Sequence, residues 1–188
     1  MKLPLLLSLH PNADQSAVLL ETVERVNAAT NDLSKLAWQS QLFEPSELHK
    51  VSYRDIRATY ALGAQVVVLM FARVSAAYRS SSNVDRPLTF CPRSPIPYDE
   101  RIATFYSDMV SLWSVDGRKR IRFTGSLDAQ VLLPYQQGES WLINDQDDWC
   151  LLTQVNLERY QNDRWSMWIK EFGNAQAILA KSDEYRSY

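Results

Sequence analysis

The sequence predicts an α+β fold: a small antiparallel β-barrel with a helical domain inserted after its first strand. Apolar residues recur at helical spacing between residues 12 and 83. Residues 84–155 instead combine alternating apolar and polar positions with prolines that forbid long helices. Residues 1–11 hold a short apolar strand that is a natural extra member of the later sheet. Residues 156–188 change character again and are predicted to form a helical tail.

The first strand is predicted at Leu3–His10. Its apolar run is short, contains Pro4 and lacks a small-residue cleavage site, so a secretory signal peptide is not indicated. A long helix follows, capped by Asp14 or Ser16 and reaching about Trp38. Its predicted inward stripe consists of Leu19, Val23, Val26, Thr30, Leu33 and Ala37.

Two shorter helices joined by a tight turn are predicted between His49 and Arg79. Ser52 would cap the first, and Gly63 would close it in the left-handed conformation. The second would run from about Ala64 to Arg79, with an apolar stripe of Val67, Met70, Phe71, Val74 and Tyr78. Such a pair suits a nucleic-acid-binding helix-turn-helix, although an ordinary helical hairpin within a core has the same pattern.

Strands are predicted at Arg101–Tyr106, Met109–Val115 and Arg118–Phe123, with Asp116–Gly117 as a two-residue hairpin turn. A last hairpin is predicted from residues 140–143 and 149–155. In the return strand, three arginines alternate with other residues and therefore point to one side of the sheet: Arg118, Arg120 and Arg122. Because unpaired arginines are not buried, that side is expected to be wet or occupied by phosphates.

The net charge of −2 hides an asymmetry along the chain. Residues 49–122 hold twelve basic and six acidic residues, whereas the segments before and after them are both net acidic. A basic middle suggests binding to a polyanion, although solvated charges cluster by chance as well. The candidate nucleic-acid contacts are Lys50, Tyr53, Arg54, Arg57, Arg73, Arg79, Arg118, Lys119, Arg120 and Arg122. In this set, Tyr53 is a candidate for stacking on a base.

The residues that other chemistries require are sparse. Cys91 and Cys150 allow one disulfide but form no Cys-x-x-Cys pair, and His10 and His49 lack a matching ligand set, so no metal or other cofactor is predicted. Neither a phosphate-binding Gly-rich loop nor a G-x-S-x-G elbow occurs. The low cysteine content favours a cytoplasmic, reducing location, and no segment is apolar enough to suggest a membrane span.

An ordered series of short motifs carries a resemblance to a known family. It includes Phe90, Pro92 and Arg93 (Cys91 intervenes), then Tyr98–Asp99 and Arg101, then Val110–Ser111, Trp113 and Gly117–Arg118. With the helical segment 27–79, this series makes residues 1–155 similar to the amino-terminal region of the TnpB family. These proteins are RNA-guided nucleases encoded by insertion-sequence transposons and related to type V CRISPR effectors.

The resemblance implies an OB-like wedge β-barrel that departs into a helical recognition domain and then returns to finish the barrel. It implies as partners a structured guide-RNA scaffold or an RNA–DNA heteroduplex, which is read mainly by its backbone and shape. The RuvC-type nuclease half of the family is not matched, because Asp163–Arg164–Trp165 does not fit its D-x-G motif. We therefore expect a non-catalytic protein, with a separate nuclease-bearing chain as a further candidate partner.

Two alternative functions remain open from the sequence. One is a DNA-binding regulator or transposition accessory protein that uses Ser52–Arg79 as a helix-turn-helix. The other is a protein-interaction module that docks through an aromatic tail of Trp165, Trp168 and Phe172. The tail residues have a simpler alternative too, which is packing on the chain's own core.

Overall fold

A computed structural model describes residues 2–81, 85–125, 129–146, 148–164 and 166–167. Three helices lie between the first and second strands. The elements are β1 (Lys2–His10), α1 (Ala13–Ser40), α2 (Pro45–Tyr60), α3 (Ala64–Ser80), β2 (Ile96–Tyr98), β3 (Ala103–Phe105), β4 (Met109–Ser114), β5 (Gly117–Thr124), α4 (Ala129–Leu132), a 3-10 turn (Leu133–Tyr135), β6 (Ser140–Asp145) and β7 (Asp148–Asn156). Residues 157–164 and 166–167 are also helical.

The seven strands form one antiparallel sheet in the order β2-β6-β7-β1-β5-β4-β3, which curls into a nearly closed barrel. The two edge strands, β2 and β3, are separated by only four residues and meet at a tight turn. In that turn the Ala103 amide donates to the Asp99 carbonyl at 2.8 Å. The Tyr98 hydroxyl then donates across the seam to the Trp113 carbonyl of β4 at 2.8 Å. The predicted class of mixed helix and antiparallel barrel is thus confirmed in its coarse form.

Every second residue of the strand β1 points its side chain into the barrel interior. Leu5, Leu7 and Leu9 of β1 are buried while their neighbours in the strand are exposed, as the period of two requires. The predicted stripes of α1 and α3 are buried as well, and every residue named for them belongs to the same hydrophobic cluster as the barrel interior or lies buried beside it. The helices therefore share one core with the sheet.

The predicted start of α1 was wrong. Asn12 caps the helix, since its Oδ1 accepts from the Gln15 amide at 2.8 Å and the Gln15 side chain accepts from the Asn12 amide at 3.1 Å. Ser16, one of the predicted caps, instead accepts from the Trp149 indole at 2.8 Å and ties α1 to β7. Asp14 lies in the first turn of the helix, where its negative charge interacts favourably with the helix dipole.

The predicted start of α2 was also wrong, and so was the residue predicted to close the helix. The helix begins two turns earlier, at Pro45, so Ser52 lies buried in mid-helix and donates to the Leu48 carbonyl at 2.7 Å. Ala61, and not Gly63, takes the left-handed conformation that ends the helix. Gly63 is the N-cap of α3 with an ordinary φ of −65°. It is needed for space instead, because a Cβ there would lie 3.1 Å from the Trp113 ring.

The β4–β5 hairpin turns one residue earlier than predicted. Ser114 pairs with Gly117, so the two loop residues are Val115 and Asp116. Gly117 has φ of +80° and supplies the positive φ that joins the loop to the strand. β3 is shorter than predicted because Arg101 and Ile102 belong to the turn that closes the barrel.

Candidate nucleic-acid interface

The three alternating arginines of β5 lie on the outer face of the barrel, as predicted. Arg118, Arg120 and Arg122 are exposed, whereas Ile121 and Phe123 between and beyond them are buried. We call these three arginines the strand row. On the neighbouring strand β4 they face Trp113, Ser111 and Met109, and on β1 Arg122 faces His10. None of these cross-strand neighbours is acidic, so the strand row is not neutralised by the sheet that carries it.

The members of the strand row differ in how firmly they are held. Arg118 donates through Nη2 to the Arg101 carbonyl at 2.6 Å and through Nη1 to the Ser111 carbonyl at 3.3 Å. The Arg120 guanidinium lies 5.7 Å from the centre of the Tyr106 ring, within cation–π range. Arg122 has no ion pair or hydrogen bond from its side chain among the described residues. The Arg118 side chain is thus held by hydrogen bonds, while the donors of Arg122 are available to a ligand.

Lys119 does not belong to the strand row. Its ammonium pairs with the Asp116 carboxylate at 2.7 Å across the hairpin turn. The bond from Lys119 lowers the pKa of Asp116, which favours the ionised carboxylate. Lys119 is half-buried and turned to the other side of the strand.

A second basic row follows α2. Lys50, Arg54 and Arg57 are spaced four and three residues apart, so they share one face of the helix, and all three are exposed. We call them the helical row. Within the described part of the chain, none of the three has an ion pair or a side-chain hydrogen bond. Two open grooves of about 380 and 520 Å³ run along this face and share Tyr53 and Arg54.

Tyr53 is half-buried beside the helical row. Its ring stacks on His49, with ring centres 4.5 Å apart and planes inclined by 20°. His49 in turn meets the Phe71 ring edge-on, at 5.6 Å. One face of Tyr53 is therefore already covered, and a base could stack only on the remaining part of the ring.

Arg73 and Arg79 lie in neither row. The Arg73 guanidinium is half-buried, donates to Asn27 Oδ1 at 2.9 Å and sits 4.5 Å from the centre of the Phe90 ring. Burial lowers the pKa of Arg73 to about 10, which leaves it charged at neutral pH. Its contacts make it a structural residue linking α3, α1 and the segment before β2. Arg79 is exposed in the last turn of α3.

Sequence reasoning missed three residues of this surface. Arg101 and Tyr106 flank the strand row, and Gln65 of α3 contacts Arg101 through a hydrogen bond of 3.0 Å. Arg101 lies in the basic middle of the chain and could have been included on charge alone. No sequence signal marks Gln65, because its partners lie 34 and 36 residues away.

Other kinds of site find little support in the described residues. No group of three or more His, Cys, Asp or Glu there could hold a metal ion. Among the same residues, no helix has the length and apolar character to cross a membrane. The predicted partner-binding residues Trp165, Trp168 and Phe172 lie outside the part of the chain whose side chains are described.

Comparison of the chain with protein-family models gives no match, and comparison with curated proteins gives no significant relative. The two rows of exposed cations are therefore the features of the molecule that indicate a function.

Proposed function

We propose that this chain is a non-catalytic nucleic-acid-binding module that grips the phosphate backbone of a structured RNA or an RNA–DNA heteroduplex. The observation that carries the proposal is the strand row: three exposed arginines on one face, with no acidic cross-strand neighbour. Uncompensated positive charge along an ordered surface is the footprint of a phosphate-binding protein. The helical row adds three more cations that have no ion pair with any described residue.

Backbone binding accounts for this surface better than the stacking of unpaired bases. Proteins that bind single strands present several exposed aromatic rings as stacking platforms. In the described residues, Tyr106 is the one aromatic side chain among the exposed large hydrophobics. The Tyr106 ring lies beside Arg120 and interacts favourably with its guanidinium. A surface rich in arginine and poor in exposed rings suits a duplex, whose bases are stacked inside.

The proposal contains no chemical step. Two-metal phosphodiester hydrolysis needs several carboxylates that converge on ions about 4 Å apart. The described residues include no such group. The transposon and CRISPR context, and a separate nuclease-bearing partner chain, belong to the same proposal and rest on the resemblance alone.

The helix-turn-helix alternative has less support from the surface of α3. As the second helix of the pair, α3 would have to present side chains that reach base edges. From residue 64 to residue 76, the exposed positions carry Ala64, Val68, Ala72 and Ala76, whose side chains offer neither hydrogen-bond donors nor acceptors. The exposed polar residues Arg79 and Ser80 lie at the C-terminal end of α3, whereas a recognition helix contacts bases through its N-terminal residues. Sequence-specific readout by α3 is therefore not favoured.

The test is replacement of Arg118, Arg120 and Arg122 together by Ala. We expect weaker binding to structured RNA and to an RNA–DNA duplex, with the slope of log K against log salt reduced by roughly three. Affinity is measured across a salt series by fluorescence anisotropy. A matched variant replaces three exposed cations elsewhere, Lys35, Arg86 and Arg93, and is expected to bind nearly as the parent does.

Because Arg118 also bonds to two carbonyls of the fold, the triple variant is checked by thermal unfolding. If it is unfolded, the pair Arg120→Ala and Arg122→Ala replaces it, with an expected slope reduction of roughly two. A folded variant that binds with the parent's affinity and salt slope would contradict the proposal. Binding to one duplex DNA sequence only would favour the helix-turn-helix alternative instead.

A further inference from the structure

The turn between α2 and α3 packs against the barrel next to Arg118, where the strand row begins. Gly63 lies so close to Trp113 that a Cβ would be 3.1 Å from its ring. Trp113 is the cross-strand partner of Arg118, the first arginine of the strand row. Arg57, the last residue of the helical row, is in the final turn of α2, where its carbonyl accepts from the amide of Leu62. The turn that follows the helical row therefore packs on the residue opposite the first arginine of the strand row.

A chain of hydrogen bonds crosses the same junction. Gln65 Nε2, in the first turn of α3, donates to Asp99 Oδ2 at 2.5 Å, and its Oε1 accepts from Arg101 Nη1 at 3.0 Å. The Arg101 amide donates to Asp99 Oδ1 at 3.1 Å. The Arg101 carbonyl then accepts from Arg118 Nη2 at 2.6 Å. Each bond uses a donor and an acceptor that match, so Gln65 is connected to Arg118 through a single residue.

The turn that carries Asp99 and Arg101 is itself rigid. The Ile102 and Ala103 amides both donate to the Asp99 carbonyl, and the Trp113 amide donates to the Ile102 carbonyl at 2.9 Å. Gln65 bonds to the side chains of Asp99 and Arg101 in this turn, and Arg101 is the residue whose carbonyl orients Arg118. Orientation matters for an arginine because its planar donors bind a phosphate best from one direction.

We propose that Gln65 is a positioning residue that couples the helical row to the strand row, so that both rows meet the same duplex as one surface. This inference rests on the proposed function. The helical row is about 10 Å long, because seven helical rises separate Lys50 from Arg57. The strand row is about 14 Å long, because four strand rises separate Arg118 from Arg122. An RNA–DNA duplex of about 20 base pairs exceeds both lengths together.

The test is a double-mutant cycle between Gln65 and Arg118, with an RNA–DNA duplex of about 20 base pairs as the probe. Gln65→Met removes the polar atoms with little change in size. We expect it to weaken binding about threefold to tenfold in the parent, within the range found for hydrogen-bonded neighbours. In an Arg118→Ala background the same substitution should have no effect on affinity. Gln39→Met, at an exposed glutamine of α1, is the matched control and should leave affinity unchanged.

Gln65→Ala serves as a second variant if Gln65→Met is not folded, since alanine favours the helix and adds no bulk. A merely structural role would weaken binding by the same factor in both backgrounds, and that result would overturn the inference. So would parent-like affinity of the Gln65 variants. Failure of the parent chain to bind any nucleic acid is a different result, which refutes the proposed function itself.

Discussion

Charge alone does not identify the arginines that are available to a ligand. Arg54 and Arg73 are both basic residues of the helical pair, and both were predicted as contacts. Arg54 is exposed and has no partner among the described residues, whereas Arg73 is committed to Asn27 and Phe90. The difference follows from which face of its helix each residue occupies, and that face is set by packing.

We expect Arg73→Ala to leave nucleic-acid affinity and its salt slope unchanged. It should lower the free energy of unfolding by about 1 to 2 kcal/mol, because buried Asn27 loses a donor to its Oδ1. Arg54→Ala, as the matched change, should reduce the salt slope by roughly one at unchanged stability. Anisotropy titrations and urea unfolding measure the two properties. If Arg73→Ala reduced the salt slope, Arg73 would have to be counted among the candidate phosphate contacts again.

At the scale of elements, the α2–α3 connection shows how two neighbouring small residues take opposite roles. Ala61 accepts a left-handed φ of 50° that glycine would adopt more easily, and Gly63 avoids contact with Trp113 although its φ is ordinary. The backbone at Ala61 is therefore strained by its Cβ, and the packing at Gly63 depends on having none.

Two single substitutions separate these roles. Ala61→Gly should raise the free energy of unfolding by about 0.5 to 1 kcal/mol, since the left-handed conformation no longer carries a Cβ penalty. Gly63→Ala should lower it by about 1 kcal/mol, because Ala is a poor N-cap and its Cβ crowds the Trp113 ring. Denaturant unfolding of both variants decides the matter. If Gly63→Ala raised the free energy of unfolding, the Trp113 ring would be able to move away from the added Cβ without loss of stability.

At the scale of the whole molecule, the barrel is closed by a side-chain hydrogen bond as well as by the backbone hydrogen bonds between its strands. Tyr98 is fully buried, and its hydroxyl bridges from edge strand β2 to the Trp113 carbonyl of β4. The same seam carries the turn that presents Arg101 to the interface. The turn that closes the barrel therefore also supplies the Arg101 carbonyl to which Arg118 donates.

We expect Tyr98→Phe to lower the free energy of unfolding by about 1 to 2 kcal/mol, because the Trp113 carbonyl loses its donor in a buried place. Burial raises the pKa of Tyr98, so the neutral phenol is favoured in the folded state. The stability that this neutral phenol contributes is therefore fully present below the unfolded pKa of about 10 and is lost progressively as pH rises from there to the higher folded pKa.

The control is Tyr106→Phe, at an exposed tyrosine whose ring alone contacts Arg120. Urea unfolding at pH 7 should show no change for it. Equal loss of stability in both tyrosine variants would show that the Tyr98 hydroxyl contributes nothing specific to closure.

The sequence by itself determined what depends on periodicity. The stripes of α1 and α3, the alternation of β5 and the exposure of its three arginines were predicted correctly, because a helix or strand repeats its geometry at every residue. The starts of α1 and α2 were predicted poorly. For α1, Asn12, Asp14 and Ser16 are all acceptable caps, and the choice is made by how the chain enters the fold.

Only the tertiary structure decided which polar residues work together. The hydrogen bonds of Gln65 with Asp99 and Arg101, and that of Arg73 with Asn27, join residues 34 to 46 positions apart. No local pattern encodes such pairs, because each depends on how the helices are seated on a barrel that closes elsewhere in the chain. The same packing places the turn that follows the helical row beside Trp113, the cross-strand partner of Arg118. Charge along the sequence could indicate each row but not this placement.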